Sequence, residues 1–388
     1  MVNNHTKILI LGSTGSIGKS ACNCVRRFKY RFSVAGLTAG SNVDLLTGQI
    51  REFSPASIYI TGSQNADLIK DRFKNLSVYS GDGGLEQIVN EADYDILLNA
   101  LVGAVGFRPT VAALKRGKRV ALANKESLVI GGDYIRAIIG QDNERRLLPV
   151  DSEHSAILQC LPSSPGHHNT IESIILTASG GPFRSLPKDK FASITPEQAL
   201  NHPTWSMGKK ITIDSSTLMN KGFEVIEAHH LFATPYDKLR VCVHPQSIVH
   251  SMVEFHDGAV LAQLGLPDME LPIQYALSWP NRLPIPGKRL NLPDIKSLDF
   301  SDPDMDRFPC MRLCIDAGKT GGTAPAAVNA ANEVAVDLFL NKRIGYTGIS
   351  EIVESALNEH TPLKADSVEV IEDADRETRK KILNKYRS

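Results

Sequence analysis

Between residue 7 and about residue 150, short apolar runs alternate with stretches of helical spacing, and this alternation constrains the fold more than any other feature. Strands are expected at 7–11, 32–37, 57–60, 95–100, 119–123 and 147–150. Between them Ile17, Ala21, Val25 and Phe28 recur at helical spacing, as do Val43, Leu46, Ile50 and Phe53. Strands that alternate with helices pair in parallel, and the helices cover both faces of the sheet. The expected fold class is therefore α/β, opening with a doubly wound Rossmann-type domain over residues 1–150.

The pattern changes beyond that point. Residues 171–177 and 210–213 read as strands. Segments 248–255 and 259–264 flank His256, Asp257 and Gly258 as a hairpin would. A helix is expected from Ser215 or Ser216 to about Leu231. Residues 151–280 thus form an α+β central domain. Pro280, Pro284, Pro286, Pro293, Pro303 and Pro309 punctuate the next stretch, so 281–310 reads as an ordered, extended linker. Helical patterns at 324–340, 349–358 and 373–386 make 311–388 a helical C-terminal domain.

Composition narrows the function classes. The 388 residues carry 43 Lys+Arg against 43 Asp+Glu, which argues against an electrostatic nucleic-acid binder. No apolar run of about 18 residues exists, so no transmembrane helix and no membrane partner are expected. The N-terminus lacks a secretory pattern, so the expected location is cytoplasmic, or an organelle stroma if a leader has been removed. Six cysteines without a C-x-x-C pair do not read as a disulfide scaffold. The His167-His168 and His229-His230 pairs have no zinc-ligand spacing with any cysteine.

Gly12, Gly15 and Gly18 follow the first strand and open the first helix, with Thr14, Ser16 and Ile17 among them. Glycines here permit a tight turn and bring backbone N–H groups to a pyrophosphate at the helix's positive end. An NAD site usually places an acid about 20 residues further on, at the end of the second strand. Here that segment reads Thr38, Ala39, Gly40, Ser41, Asn42, with no acid, which favours NADP. The alternative is that Ser41 and Asn42 simply cap a helix.

Asp151 and Glu153 end the last strand of this domain, where open α/β sheets hold ligands. Two apart in an extended segment, they would share one hard cation through oxygen ligands; as a helix start they would cap and favour its dipole. Further on, Asn220, Lys221 and Glu224 fall on one helix face behind Ser215 and Ser216, a plausible phosphate pocket in which Glu224 adds a metal ligand. The alternative is a solvated face with one surface salt bridge. Ser179 lies in a glycine-rich turn after a strand. His202 and Trp205 sit outside regular structure: Trp205 suits a lid, and His202 is a substrate donor or a polar loop residue. Lys125, beside Asn124 and Glu126 at another strand end, faces the cofactor–substrate junction or is a surface lysine.

Taken together, these segments resemble the 1-deoxy-D-xylulose 5-phosphate reductoisomerases. The resemblance runs through the glycine loop, Leu122–Ser127, Val150–His154, Ala178–Arg184, His202–Gly208, Asp214–Glu224 and Leu266–Met269, so it covers essentially the whole chain. It implies a V-shaped homodimer that uses NADPH and a divalent cation (Mn²⁺ or Mg²⁺, with Co²⁺ a further candidate). By position, Asp151, Glu153 and Glu224 match the metal-binding carboxylates. Lys125 and Ser152 match groups at the reacting end of a sugar-phosphate substrate. Ser179, Ser215, Asn220 and Lys221 match its phosphate pocket, His202 and Trp205 the flap. Thr14, Gly15, Ser16, Ile17, Gly40, Ser41, Asn42, Asn124, Glu126 and Gly208 match cofactor positions. Many members of the family have Lys or Arg where this chain has Ser41. The implied reaction rearranges 1-deoxy-D-xylulose 5-phosphate to a branched aldehyde, by retro-aldol/aldol steps or a ketol shift. NADPH then reduces it to 2-C-methyl-D-erythritol 4-phosphate.

Two other classes compete. A plain NADP dehydrogenase explains the glycine loop but leaves the three carboxylates without purpose. A non-catalytic NADP sensor would use Trp205 and the C-terminal helices to hold a protein partner.

Overall fold

The alternating first part of the chain builds a seven-stranded parallel sheet in the order β4-β3-β2-β1-β5-β6-β7. Its strands are β1 (Thr6–Leu11), β2 (Phe32–Ala39), β3 (Ser57–Ile60), β4 (Ser77–Tyr79), β5 (Ile96–Asn99), β6 (Arg119–Leu122) and β7 (Leu147–Pro149). The structure, a computed structural model, describes residues 5–140, 146–161, 170–203, 205 and 207–386. Thr204, Ser206, His167 and His168 lie outside the described residues. Every residue of β3 and β5 is buried, as expected where helices cover both faces. The strand order reverses between β1 and β5, and the crevice at such a point is where doubly wound sheets bind ligands. β4, three residues at the sheet edge, has no sequence signal of its own; pairing with β3 makes it a strand.

The chain divides into two compact units, neither of them continuous. The first comprises Met1–Asn124, Ile135–Ser155 and Met269–Pro286. The last of these pieces carries a helix, Glu270–Ser278, that packs on helix Ser16–Arg27 and is pinned there by an Arg27–Glu270 ion pair at 2.8 Å.

The second unit comprises Lys125–Tyr134, Ala156–Asp268 and Gly287–Ser388. Its four-stranded sheet runs β11-β10-β8-β9, with β8 (Ile171–Ala178), β9 (Leu239–Val243), β10 (Val249–Phe255) and β11 (Val260–Leu264). β10 and β11 form the expected antiparallel hairpin. Ile174, Leu176 and Val253 of this sheet pack with Val225, Ala228 and Phe232 of helix Met219–Phe232. Helices Pro309–Thr320, Ala324–Leu340, Thr347–Glu359 and Val368–Lys385 complete the unit. The proline-rich stretch is mostly irregular, with one short helix at Leu292–Ile295, and Pro309 opens a helix at the position where a missing N–H costs nothing.

Two local expectations are corrected, and one open choice is decided. Residues 210–213 are helical, within Lys209–Ser216, although Ile-Thr-Ile reads as strand. Lys210 pairs with Asp214 one turn on at 2.8 Å, and Thr212, Ile213, Asp214 and Ser216 are buried, so an intrahelical ion pair and tertiary packing override propensity. Ser215 and Ser216 end that helix instead of starting the next, which begins at Met219 after Leu218 takes φ +58°. Of the two readings of Asp151 and Glu153, extended segment or helix start, the helix start holds: the helix Ser152–Cys160 begins between them.

Candidate active site

In the first unit, the loop after β1 is held from three sides. Gly12 has φ +77°, and a Cβ there would lie 2.7 Å from the Ala100 carbonyl oxygen, so only glycine fits. Its N–H donates to Thr38 Oγ1 at 2.8 Å. Ser13 is fully buried; its hydroxyl donates to Gln49 Oε1 at 2.7 Å, and Gln49 Nε2 donates back to the Ser13 carbonyl at 2.9 Å. Gly18 lets the first turn of the helix lie directly on this loop. Gly15 precedes Ser16–Arg27, and no side chain caps that helix. Its first amides, with Gly15 and Ser16 exposed, fit an anionic group such as a dinucleotide pyrophosphate.

At the end of β2, Gly40, Ser41 and Asn42 are exposed, and the Asn42 side chain caps the next helix by accepting the Leu45 N–H at 3.1 Å. The capping role was one of the two readings of Asn42. Asn124 is almost fully buried and donates to the carbonyls of Leu101 and Gly103, so it shapes the loop after β5. Asn99 does the same from β5, donating to Gly106 and Thr110; no sequence signal marked it.

Asp151 accepts the Glu153 N–H at 3.1 Å and the His154 Nδ1–H at 3.0 Å, both on Oδ1. Glu153 accepts the Ser152 hydroxyl at 2.5 Å. Asp151 therefore caps its helix as well as presenting a carboxylate. His154, fully buried, orients it, as imidazoles behind ligating groups do. Sequence reasoning quoted His154 but gave it no role. Carboxylate oxygens are hard donors that suit Mg²⁺ or Mn²⁺.

The second unit gathers two clusters. In the first, Glu224 is 1% exposed and receives three donors. Lys125 Nζ reaches Oε1 at 2.9 Å, Asn220 Nδ2 reaches the same oxygen at 2.5 Å, and Lys221 Nζ donates to Oε2. Lys125 also donates to Asn220 Oδ1 at 2.9 Å. The reading of this face as solvated, and of Lys125 as a surface lysine, is thereby excluded: both lysines are buried. In the second cluster, His202 Nε2 lies 3.1 Å from both Ser179 Oγ and Ser215 Oγ. Its Nδ1 accepts the Trp205 backbone N–H at 3.0 Å, which places the proton of the neutral ring on Nε2. Burial, with Arg184 nearby, holds His202 below the usual imidazole range and favours that neutral form. Trp205 is half-buried, and Gly208, exposed, precedes helix Lys209–Ser216.

Glu126 also lies in the second unit, paired with Lys210 at 2.8 Å. Burial pushes its carboxyl up, but the Lys210 ammonium outweighs burial and holds it below the usual range. Lys210 also pairs with Asp214, which accepts from Asn332 at 2.8 Å. Sequence reasoning missed Lys210 and Asn332, because a lysine beside a strand-like run and an asparagine over a hundred residues away carry no shared signal.

Three family models match the chain. "1-Deoxy-D-xylulose 5-phosphate reductoisomerase" covers residues 8–132, "1-deoxy-D-xylulose 5-phosphate reductoisomerase C-terminal domain" 147–232, and "DXP reductoisomerase C-terminal domain" 264–381. The 1-deoxy-D-xylulose 5-phosphate reductoisomerase of Chloroherpeton thalassium is 48% identical over 98% of both chains. That of Prosthecochloris aestuarii is 50% identical over 95% of this chain and 97% of its own. Among solved structures, the Zymomonas mobilis reductoisomerase in complex with NADPH superposes with a TM-score of 0.92. It is 40% identical and covers 99% of this chain and 100% of its own. A DOX-P reductoisomerase in complex with NADPH, fosmidomycin and magnesium gives the same TM-score at 39% identity, over 98% of both chains.

Proposed function

The chain belongs to the 1-deoxy-D-xylulose 5-phosphate reductoisomerase family, and on that premise we propose how its own residues carry the family's reaction. The reaction converts 1-deoxy-D-xylulose 5-phosphate to 2-C-methyl-D-erythritol 4-phosphate with NADPH and a divalent cation. It serves non-mevalonate isoprenoid synthesis. The observation that carries the residue-level reading is the buried Glu224 cluster, a carboxylate, two ammoniums and an amide inside one unit. A plain dehydrogenase has no use for it.

Ser179, Ser215, Asn220 and Lys221 hold the substrate phosphate, with His202 donating from the flap and Trp205 closing over the bound sugar. Thr14, Gly15, Ser16 and Ile17 present backbone amides to the NADPH pyrophosphate, and Asn124 keeps the neighbouring loop in shape. Gly40, Ser41 and Asn42 meet the 2′-phosphate end, where the chain has no acid to repel it. Glu126 and Gly208 complete the cofactor set. Asp151, Glu153 and Glu224 bind the cation, and Ser152 and Lys125 bind the reacting end of the substrate. The cation supplies Lewis acidity to the ketone and adjacent hydroxyl, and NADPH supplies the hydride. Binding of the remote phosphate drives flap closure, so that water is excluded from the reacting centre.

Finer points extend the same reading. Oxygen donors accept Mn²⁺ as readily as Mg²⁺. β11 is an edge strand, and its Val260 and Leu261 are each about half exposed, at 48% and 49%, which supports pairing with a second copy as a homodimer. Bacterial relatives support a cytoplasmic location. Functionally we divide the chain into an NADPH-binding part (1–150), a metal- and substrate-binding part (151–280), a linker (281–310) and a helical part (311–388). NADPH oxidation with 1-deoxy-D-xylulose 5-phosphate, assayed with Mg²⁺ or Mn²⁺ and again with EDTA, tests the proposal. Oxidation that survives EDTA refutes the metal reading.

A further inference from the structure

We infer that Tyr346 is a positioning residue for the phosphate pocket: its hydroxyl holds the segment that carries Ser215, its ring holds the segment that carries Ser179, and together they fix the distance between the two serine hydroxyls. The inference rests on the phosphate reading of those serines proposed above. One serine stands on a loop and the other in the last turn of a helix, yet both hydroxyl oxygens lie 3.1 Å from a single atom, His202 Nε2. Hydrogen-bond lengths span only about 0.5 Å, so a ligand oxygen meets both hydroxyls only while loop and helix end keep their separation.

Tyr346 touches both segments. It stands just ahead of helix Thr347–Glu359 and is buried. Its hydroxyl reaches across 130 positions to donate to the Ser216 carbonyl at 2.6 Å. That carbonyl ends helix Lys209–Ser216, where carbonyls lack intrahelical partners, so Tyr346 caps the last turn from outside and holds it where Ser215 sits. The Tyr346 ring meets Phe183 edge-on, with centroids 5.4 Å apart. Phe183 closes the turn that begins at Ser179. Within that turn the Gly181 N–H donates to Ser179 Oγ at 3.3 Å, so a shift of the turn re-aims the hydroxyl. The turn also lies directly on the helix end: a Cβ on Gly181 would be 2.7 Å from the Ser215 carbonyl oxygen. Arg307 keeps the turn in shape, donating to the carbonyls of Phe183 at 2.9 Å and Arg184 at 3.0 Å. Tyr346 sets where that shape rests against the helix.

The test is steady-state kinetics of the full chain with NADPH and Mg²⁺, for wild type, Tyr346→Phe, Phe183→Leu and Phe339→Leu. Phe339 also meets the Tyr346 ring, at 5.7 Å, but from helix Ala324–Leu340, which bears none of the phosphate residues. Tyr346→Phe loses only the hydroxyl and should raise KM for 1-deoxy-D-xylulose 5-phosphate about tenfold, the worth of one hydrogen bond to a charged group. Asn220 and Lys221 still hold the phosphate at saturation, so kcat should stay within about threefold, and KM for NADPH should not move. Phe183→Leu loosens the other segment and carries the same expectation if Tyr346→Phe does not fold. Phe339→Leu should lower the melting temperature and leave the kinetic constants alone. A KM within about twofold of wild type in Tyr346→Phe, an equal rise in Phe339→Leu, or a parallel rise in KM for NADPH overturns the inference. If Ser179→Ala and Ser215→Ala leave KM for the sugar phosphate unmoved, the phosphate reading fails and takes this inference with it.

Discussion

Replacing Gly18 by alanine should cripple NADPH binding without touching a single group that contacts the cofactor. An added Cβ would lie 2.2 Å from the Gly12 carbonyl oxygen and 2.5 Å from Ser13 Cα, so the loop or the helix has to move by about 1 Å to restore van der Waals contact. Neither partner yields easily. Ser13 is tied to Thr38 and Gln49 by hydrogen bonds of 2.7–3.1 Å, and Gly12 sits against Ala100 in a conformation only glycine adopts. Overpacking of this kind costs about 1–3 kcal/mol. If the strain displaces the pyrophosphate-binding amides, the dissociation constant for NADPH rises by roughly 5- to 150-fold. Titration of NADPH by its fluorescence reads this directly. Affinity within about twofold of wild type would refute the claim that this contact shapes the cofactor loop.

Three further outcomes are expected. Glu224→Gln should lower turnover by about 10²-fold or more, since it removes a charged metal ligand, while NADPH titration stays close to wild type; a collapse of NADPH affinity would show that Glu224 serves the cofactor instead. Burial keeps His202 neutral, so its stabilising contribution is present above the ordinary imidazole value of 6.5 and is lost as pH falls through the lower folded value. Protonation there removes the Nδ1 acceptor of Trp205, so KM for the substrate should rise in that acid range; a flat KM profile would dissociate His202 from the flap. Gly48, exposed within helix Val43–Phe53 with nothing within 4 Å of a would-be Cβ, should gain about 0.5–1 kcal/mol on replacement by alanine, measured by urea unfolding, and a loss would contradict the helix geometry.

Much of the first sheet was legible because its signals are local. β3 has the bounds expected from its apolar run, and helices Val43–Phe53 and Ala324–Leu340 span the residues their spacing predicts. The glycine loop could be read from the chain because a turn, a close approach and an amide-rich helix start are properties of a few consecutive residues. Residues 210–213 misled because β-branched propensity is weak beside an i,i+4 ion pair and a buried helix face. The same misreading put Ser215 and Ser216 at a helix start, when the break at Leu218 makes them a helix end.

By itself, the sequence determined most strands of the first sheet, its glycine turn and which groups carry chemistry, since propensity, periodicity and motif spacing act over a few residues. Only the tertiary structure decided how charges are matched. Lys125 meets Glu224 across 99 positions, Lys210 meets Glu126 across 84, and Asn332 meets Asp214 across 118. Burial makes each of these partnerships consequential, because a charge taken out of water has to find its counterpart wherever packing brings one.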